Sequence, residues 1–454
     1  MRMSNIPASD SSGETVTEPK AAASTATILA GHMANAEIST RRAVYVLTVI
    51  CLIGMVNYYD RYLIGILVPD LKHDFQLNDT QIGLLSGLAF AIFFSVASLP
   101  IASYADRGRR VRVLGVSVAF WSVMAAACGC AAGLWTFLAA RFGVGIGEAG
   151  AAPTSHAIIT ETVSPKWRTT ALALIGFAGA LGTTGAFWGG GYVAQHYGWR
   201  MAFFVGAVPG IALSILFLVT VRESRTSLAT RSNETSVPML AAVRTLARRS
   251  AFFRCCVAVS ISGIAVFGVM AWMPAYLMRQ FNLSAAQVGA DYSVVFGPAV
   301  MLGTLIGGLI GDRLSRRGPR APFLFLAGAL FISGPITMTY FLVPRYHTVL
   351  ALVFPGTVIS TLYLSPLFAA IQALSGPKLR ATGAALFLLA WSLIGQGLGP
   401  FLVGAMSDIF SSYVGKGGLR IALLIGASTY MVGGMGCLIA AKTAREDIET
   451  ANRT

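Results

Sequence analysis

Hydrophobic residues along this chain come in long blocks. The apolar blocks cover about 43–69, 80–104, 111–131, 134–160, 167–194, 199–221, 252–280, 286–311, 321–343, 347–373, 380–407 and 418–441. At 1.5 Å of helical rise per residue, a block of some 20 residues crosses a hydrocarbon layer of ~30 Å. The pattern predicts an all-α integral membrane protein with twelve spans. Polar connections are short except for 222–250, which separates six blocks from six and divides the chain into units 41–221 and 251–442. Residues 1–40, rich in Ser, Thr and Ala, read as an unstructured tail, and 443–454 as a short second tail. The apolar piece at 26–30 is too brief for a signal-peptide core, so no cleaved leader is expected. Residues 238–249 alternate apolar and basic positions, as does an amphipathic helix lying on a membrane surface.

The two units repeat one another. Phe75-Gln-Leu77 and Gln81-Ile-Gly83 recur as Phe281-Asn-Leu283 and Gln287-Val-Gly289, and Asp106-Arg107 recurs as Asp312-Arg313, all at an offset of 206. Further on, Pro165-Lys-Trp-Arg168 recurs as Pro377-Lys-Leu-Arg380 at offset 212. An even number of spans between copies inserts both units in the same direction. Membrane carriers are commonly built from such repeats, with the substrate site between them near mid-membrane.

Composition agrees. The chain is 55% hydrophobic and 12% charged, with mean hydropathy +0.68, against roughly a quarter charged for a soluble domain. The net charge of +15 does not mark a nucleic-acid binder, because the basic residues sit in the short segments between apolar blocks. With the N-terminus in the cytoplasm, 26 of the 34 Lys and Arg fall on the cytoplasmic side and 6 on the other. Arg61 and Arg141 lie within spans. Basic loops stay inside, so both termini are expected in the cytoplasm, with a plasma (inner) membrane as the expected location. The six cysteines lie in or beside apolar blocks and form no disulfide framework. No phosphate-binding loop, catalytic serine or metal-ligand spacing occurs, so neither an enzyme nor a cofactor or metal is expected.

Charges inside the spans carry the functional signal. Asp60 and Arg61 lie deep in the first block, and Arg141 and Glu148 in the fourth. Each costs at least a few kcal/mol in hydrocarbon unless it faces protein or water and finds a partner. Seven residues apart, Arg141 and Glu148 share a helix face. Asp60 lies nine residues before Pro69, and Arg141 seven after Leu134, ~14 Å and ~10 Å along opposed helices. Asp60 is therefore expected to reach Arg141, and Glu148 to reach Arg141 or Arg61. Competition between a proton and a guanidinium for one carboxylate would couple transport to protons. Asp60 and Glu148 are the candidate proton-responsive groups, and Arg141 and Arg61 the counter-charges or substrate contacts. Asn57, Tyr58, Tyr59, Phe267, Met270, Trp272, Tyr363 and Trp391 are the candidate cavity lining. With Val266 where the first repeat has Asp60, the second half is poorer in charge, which suits a substrate with a charged head and an apolar tail.

The loops that hold Asp106-Arg107-Gly108-Arg109-Arg110 and Asp312-Arg313-Leu314-Ser315-Arg316-Arg317 resemble the motif of the major facilitator superfamily, over about residues 43–442. The first copy departs from it, with Ala102 and Arg109 where the family has glycine. The resemblance implies two pseudo-symmetric six-helix bundles rocking about a central site. An acid at a helix end tied to arginines makes a charge-assisted cluster. Asp106, Arg107 and Arg110, with Asp312, Arg313 and Arg316, are the expected cytoplasmic gate. Asn57-Tyr58-Tyr59-Asp60-Arg61, Leu67-Val68-Pro69-Asp70 and Arg141-x-x-Val144-Gly145-x-Gly147-Glu148-Ala149 are similar to the spinster-like branch. That likeness implies a proton-linked carrier of lysophospholipids or sphingosine-type lipids, and a monomer is expected. A carrier of small organic anions or drugs would share every coupling residue. Span 5 has Gly185-Ala186 where the superfamily's antiporter signature has Gly-Pro.

Overall fold

The computed structural model describes residues 18–105, 109–223, 239–315, 317–376 and 379–453, with side chains from Thr40 onward. The first half comprises α1 (Glu18–Phe75), α2 (Asp79–Ala105), α3 (Arg110–Gly129), α4 (Leu134–Glu148 and Ala151–Thr162), α5 (Arg168–Tyr197) and α6 (Trp199–Thr220). The second comprises α7 (Ser250–Phe281), α8 (Ala285–Ser315), α9 (Ala321–Leu342), α10 (Tyr346–Leu362 and Leu364–Ser375), α11 (Arg380–Ala390, continuing through Gly399–Val414) and α12 (Gly418–Arg453). Among the described residues the helices thus fall into two sets of six, as the apolar blocks predict, and ten stretches are long and apolar enough to cross a membrane.

Helix geometry repeats between the halves. α1 and α7 both end on a left-handed residue, Gln76 and Asn282, each with φ 54°. Both central helices of the repeat, α4 and α10, are broken midway, at Ala149–Gly150 and at Tyr363. π-helical turns interrupt α2 at Leu84–Leu88 and α11 at Trp391–Leu398, and these two turns pack against one another across the bundles. Such turns shift the backbone hydrogen-bond register and occur often at functional sites.

Two expectations need correction. α1 starts at Glu18, so the segment read as an unstructured tail is helical from there on. Its many alanines, with Glu18, Met33 and Glu37 among them, are strong helix formers, and Pro19 suits a first turn. The linker helix, Met239–Arg248, does not lie with its apolar side on a membrane surface. Ala242 and Leu246 are buried in the core of the second half beside Phe252. Arg249, also buried, donates to the carbonyl oxygens of Leu374 and Ser375, both at 2.8 Å, which ties the linker to the end of α10.

Within each half the helices pack as a bundle. The halves meet through α5 with α8, α2 with α11 and α1 with α7. Gly289 on α8 lies so close to the Phe187 carbonyl that a Cβ would collide with it. One apolar core continues from the first half into the second through Trp272, Leu277, Tyr292, Val403 and Leu419. All of these sit toward the end marked by Asp79. A separate core occupies the rest of the second half. The contact between bundles is thus packed at the Asp79 end.

Candidate functional site

α1 brings Asp60 and Arg61 into the interior of the first half, and the first segment of α4 brings Arg141 and Glu148. Asp60, Arg141 and Glu148 are each only 1% exposed, so none of them faces lipid. Of the two partners that depth allowed for Glu148 it takes Arg61, while Asp60 makes no hydrogen bond to Arg141. Arg61, the sequence neighbour of Asp60, takes Glu148, donating from Nη2 at 2.5 Å and Nε at 3.1 Å to the same oxygen, Oε2. Arg141 donates from Nε to the Leu85 carbonyl at 3.4 Å, inside the π-helical turn of α2. Among the described residues, both oxygens of Asp60, Oε1 of Glu148, Nη2 of Arg141 and Nδ2 of Asn57 have no hydrogen-bond partner. Asp60 still lies within electrostatic reach of Arg141 and Glu148. Its Oδ1 rests against Gly206 of α6, where a Cβ would collide with it.

An aromatic cage completes the site. The Arg61 guanidinium carbon sits 4.9 Å from the centroid of Phe90, 5.4 Å from Phe94 and 5.6 Å from Tyr58. The Arg141 guanidinium lies 5.4 Å from Phe90. Phe90, fully buried, therefore serves both cations. Aromatic faces attract a guanidinium, more so where water is excluded, so the cage partly replaces water around Arg61. Nothing in the sequence singles out Phe90 from the chain's other phenylalanines.

A cavity of about 20 Å³ opens between the halves, lined by Arg61, Tyr62, Ile64, Gly65 and Ser86 on one side and Phe267, Ala271, Gln396 and Pro400 on the other. That is room for little more than a water. Arg61 is the charged group on its wall. Of the expected lining, Phe267 takes part and Met270 is half-buried next to it on α7. Trp391 packs edge-on against Phe267 with centroids 5.2 Å apart. Tyr58 is on the edge of exposure and stands 6.0 Å from Tyr62. Asn57 is buried within the first half. Three residues depart from the expectation because their hydroxyl or ring faces a neighbouring helix. Tyr59 donates to the Ala202 carbonyl at 3.0 Å on α6. Trp272 is buried and donates to the Pro400 carbonyl at 2.9 Å. Tyr363 lies fully buried at the break in α10.

Of the expected gate, Asp106, Arg107, Asp312 and Arg316 fall outside the described residues or side chains. Arg313 is exposed. Arg110 forms an ion pair with Glu161 of α4, which lies in its own half.

A family profile described as Major Facilitator Superfamily matches residues 50–400. An MFS-type efflux pump of Mycolicibacterium smegmatis is 33% identical over 411 residues, 90% of this chain and 95% of that protein. Protein spinster homolog 1 of Xenopus laevis is 26% identical over 436 residues, 87% of this chain and 80% of that protein. A solved bacterial homolog of the human lysosomal transporter Spinster, inward-facing and unoccupied, superposes with a TM-score of 0.79 at 25% identity, covering 89% of this chain and 98% of that one. Twelve spans, a repeated bundle and buried charge beside a central cavity define a membrane transporter rather than an enzyme. The chain belongs to the major facilitator superfamily. Within it, this is a spinster-like transporter.

Proposed function

We propose that this protein is a proton-coupled secondary transporter, working by alternating access, which moves an amphipathic lipid-like substrate of the lysophospholipid or sphingosine type. The observation that carries the reading is the placement of Arg61. It faces the cavity and holds Glu148, next to an Asp60 whose charge no donor compensates. An anionic head group that binds Arg61 competes with Glu148, and a proton on Glu148 or Asp60 removes the buried charge that this competition strands. Substrate and carboxylate then compete for one guanidinium, and guanidinium and proton for one carboxylate. Phe267, Ala271 and Pro400 on the facing wall offer an apolar surface for a tail. The relative of Xenopus tropicalis named sphingosine-1-phosphate transporter SPNS2 favours the lipid. The name of the mycobacterial efflux pump favours the second reading, a carrier of drugs or small organic anions.

The basic-loop asymmetry supports a proposed orientation with both termini in the cytoplasm, in a plasma (inner) membrane, which would turn the Asp79 end outward and the Arg110 end inward. The loop arginines and acids at 106–110 and 312–316 are proposed to gate the inner end.

The test is flux in proteoliposomes under an imposed pH gradient, with a fluorescent lysophospholipid, sphingosine-1-phosphate and a short-chain carboxylate as probes. Gradient-dependent movement of the lipids, competed by unlabelled lysolipid, supports the reading. Movement of the carboxylate alone shifts it to the second, and no flux with any probe removes both.

A further inference from the structure

A second charge cluster lies at the end opposite the expected loop gate, and it joins the two halves. Asp79, the first residue of α2, is 3% exposed. Its carboxylate accepts from Arg279 of α7 in fork geometry, at 2.8 Å on each oxygen, from Ser407 of α11 at 2.6 Å, and from Lys72 of its own half at 2.5 Å. In the reverse direction, Asp408 of α11 sits on the N-terminus of α2. It accepts from the backbone N–H of Asp79 at 3.0 Å, that of Thr80 at 2.7 Å, and the Thr80 hydroxyl at 2.6 Å. A carboxylate there is favoured by the unpaired N–H groups of a first helical turn. Each half thus presents an acid that the other half satisfies.

The backbone under this cluster is in direct contact. A Cβ on Gly83 would meet the Pro400 carbonyl at 2.5 Å, and one on Gly404 would collide with the Asp79 carbonyl. Trp272 forms the floor, donating to Pro400 with the Arg279 guanidinium 5.6 Å from its ring. Its place in this seal explains why it is missing from the cavity wall. Two halves separating here would leave Asp79 with Lys72 alone, and would take Asp408 from the first turn of α2, leaving Asn78 as its only cap among the described residues. A looser, water-filled contact would carry no such cost.

We propose that Asp79, Arg279, Ser407 and Asp408 form a reciprocal latch that holds the two bundles shut at this end, and that its release is a required step in the transport cycle. These are positioning residues: they touch neither the cavity nor the Arg61–Glu148 pair. The inference rests on the two halves moving as units, and not on the identity of the substrate or on proton coupling.

The test is a distance. Spin labels are placed at exposed positions His73 and Lys416 of the full chain in nanodiscs, with the exposed Cys130 replaced by serine, and the distance distribution is measured by pulsed electron resonance. Asp79→Asn and Arg279→Gln should raise the ratio of long to short distances about tenfold, the size expected when a charge-assisted contact is lost. Ser407→Ala should give a smaller rise. Arg200→Gln breaks an ion pair to Asp74 at the same end but within one half, and should leave the distribution unchanged. Distributions for Arg279→Gln and Ser407→Ala that superimpose on wild type overturn the latch, even where Asp79→Asn does not fold. Widened distances with pH-independent flux leave the latch standing and remove the coupling reading.

Discussion

Exchanging the partners of the Arg61–Glu148 pair should give unequal losses, and the inequality follows from the surroundings of each group. Glu148→Gln removes the charge but keeps an amide oxygen where Oε2 now accepts two donors. Breaking a buried pair from one side costs ~3–5 kcal/mol. A retained hydrogen bond from a charged donor returns ~1.5–3, which leaves a net loss of ~2 kcal/mol. Arg61 also keeps Phe90, Phe94 and Tyr58 around it, each worth ~0.5–2 kcal/mol, so the loss falls at the low end. Arg61→Gln leaves Glu148 as a buried anion with one weak donor and no aromatic alternative, so it should lose the full ~3–5 kcal/mol. The double variant should be more stable than the summed losses by ~2 kcal/mol, the coupling expected of a contacting pair. The assay is reversible unfolding in mixed micelles, followed by tryptophan fluorescence at pH 5 and pH 8. Equal losses for the two single variants, or strict additivity in the double one, would refute the reasoning.

Other outcomes are expected on the same grounds. Asp60→Asn should leave the unfolding midpoint within ~1 kcal/mol of wild type, because no donor is lost, while uptake in proteoliposomes ceases to respond to pH; an unaltered pH response removes Asp60 from coupling. Phe90→Leu should weaken both guanidinium contacts and destabilise by ~1–2 kcal/mol, with Phe90→Tyr recovering most of it, and a leucine variant as stable as wild type would discount the cage. Arg141→Ala should lower expression and flux together, since it leaves buried acid without its counter-charge; normal expression would count against that role. Arg249→Ala removes two hydrogen bonds to the end of α10 and should cost ~2–4 kcal/mol, read as a lower melting temperature with substrate affinity unchanged.

Hydropathy accumulates locally along a chain, which is why the twelve spans, the division at 222–250 and the pseudo-repeat could be read from sequence. Burial of Asp60, Arg141 and Glu148 was legible for the same reason: the apolar residues flanking each one set its depth. Their pairing was not. Asp60 and Arg61 are neighbours that point about 100° apart around α1, so the rotation of that helix against α2 and α4 decides which of them meets Glu148. Depth along the axis, all that counting residues supplies, allowed Arg61 or Arg141 alike. Phe90 acquires its place between two guanidinium groups only when α2 packs beside α1 and α4. Distance in sequence hid the latch as well. Asp79 and Arg279 stand 200 residues apart, each beside a polar turn where a solvated charge would be the ordinary reading, and only the docking of one bundle on the other brings them together. Local chemistry determined what crosses the membrane and which charges had to be sheltered there. Helix rotation and bundle docking, fixed by packing between residues far apart in the chain, decided which charges meet.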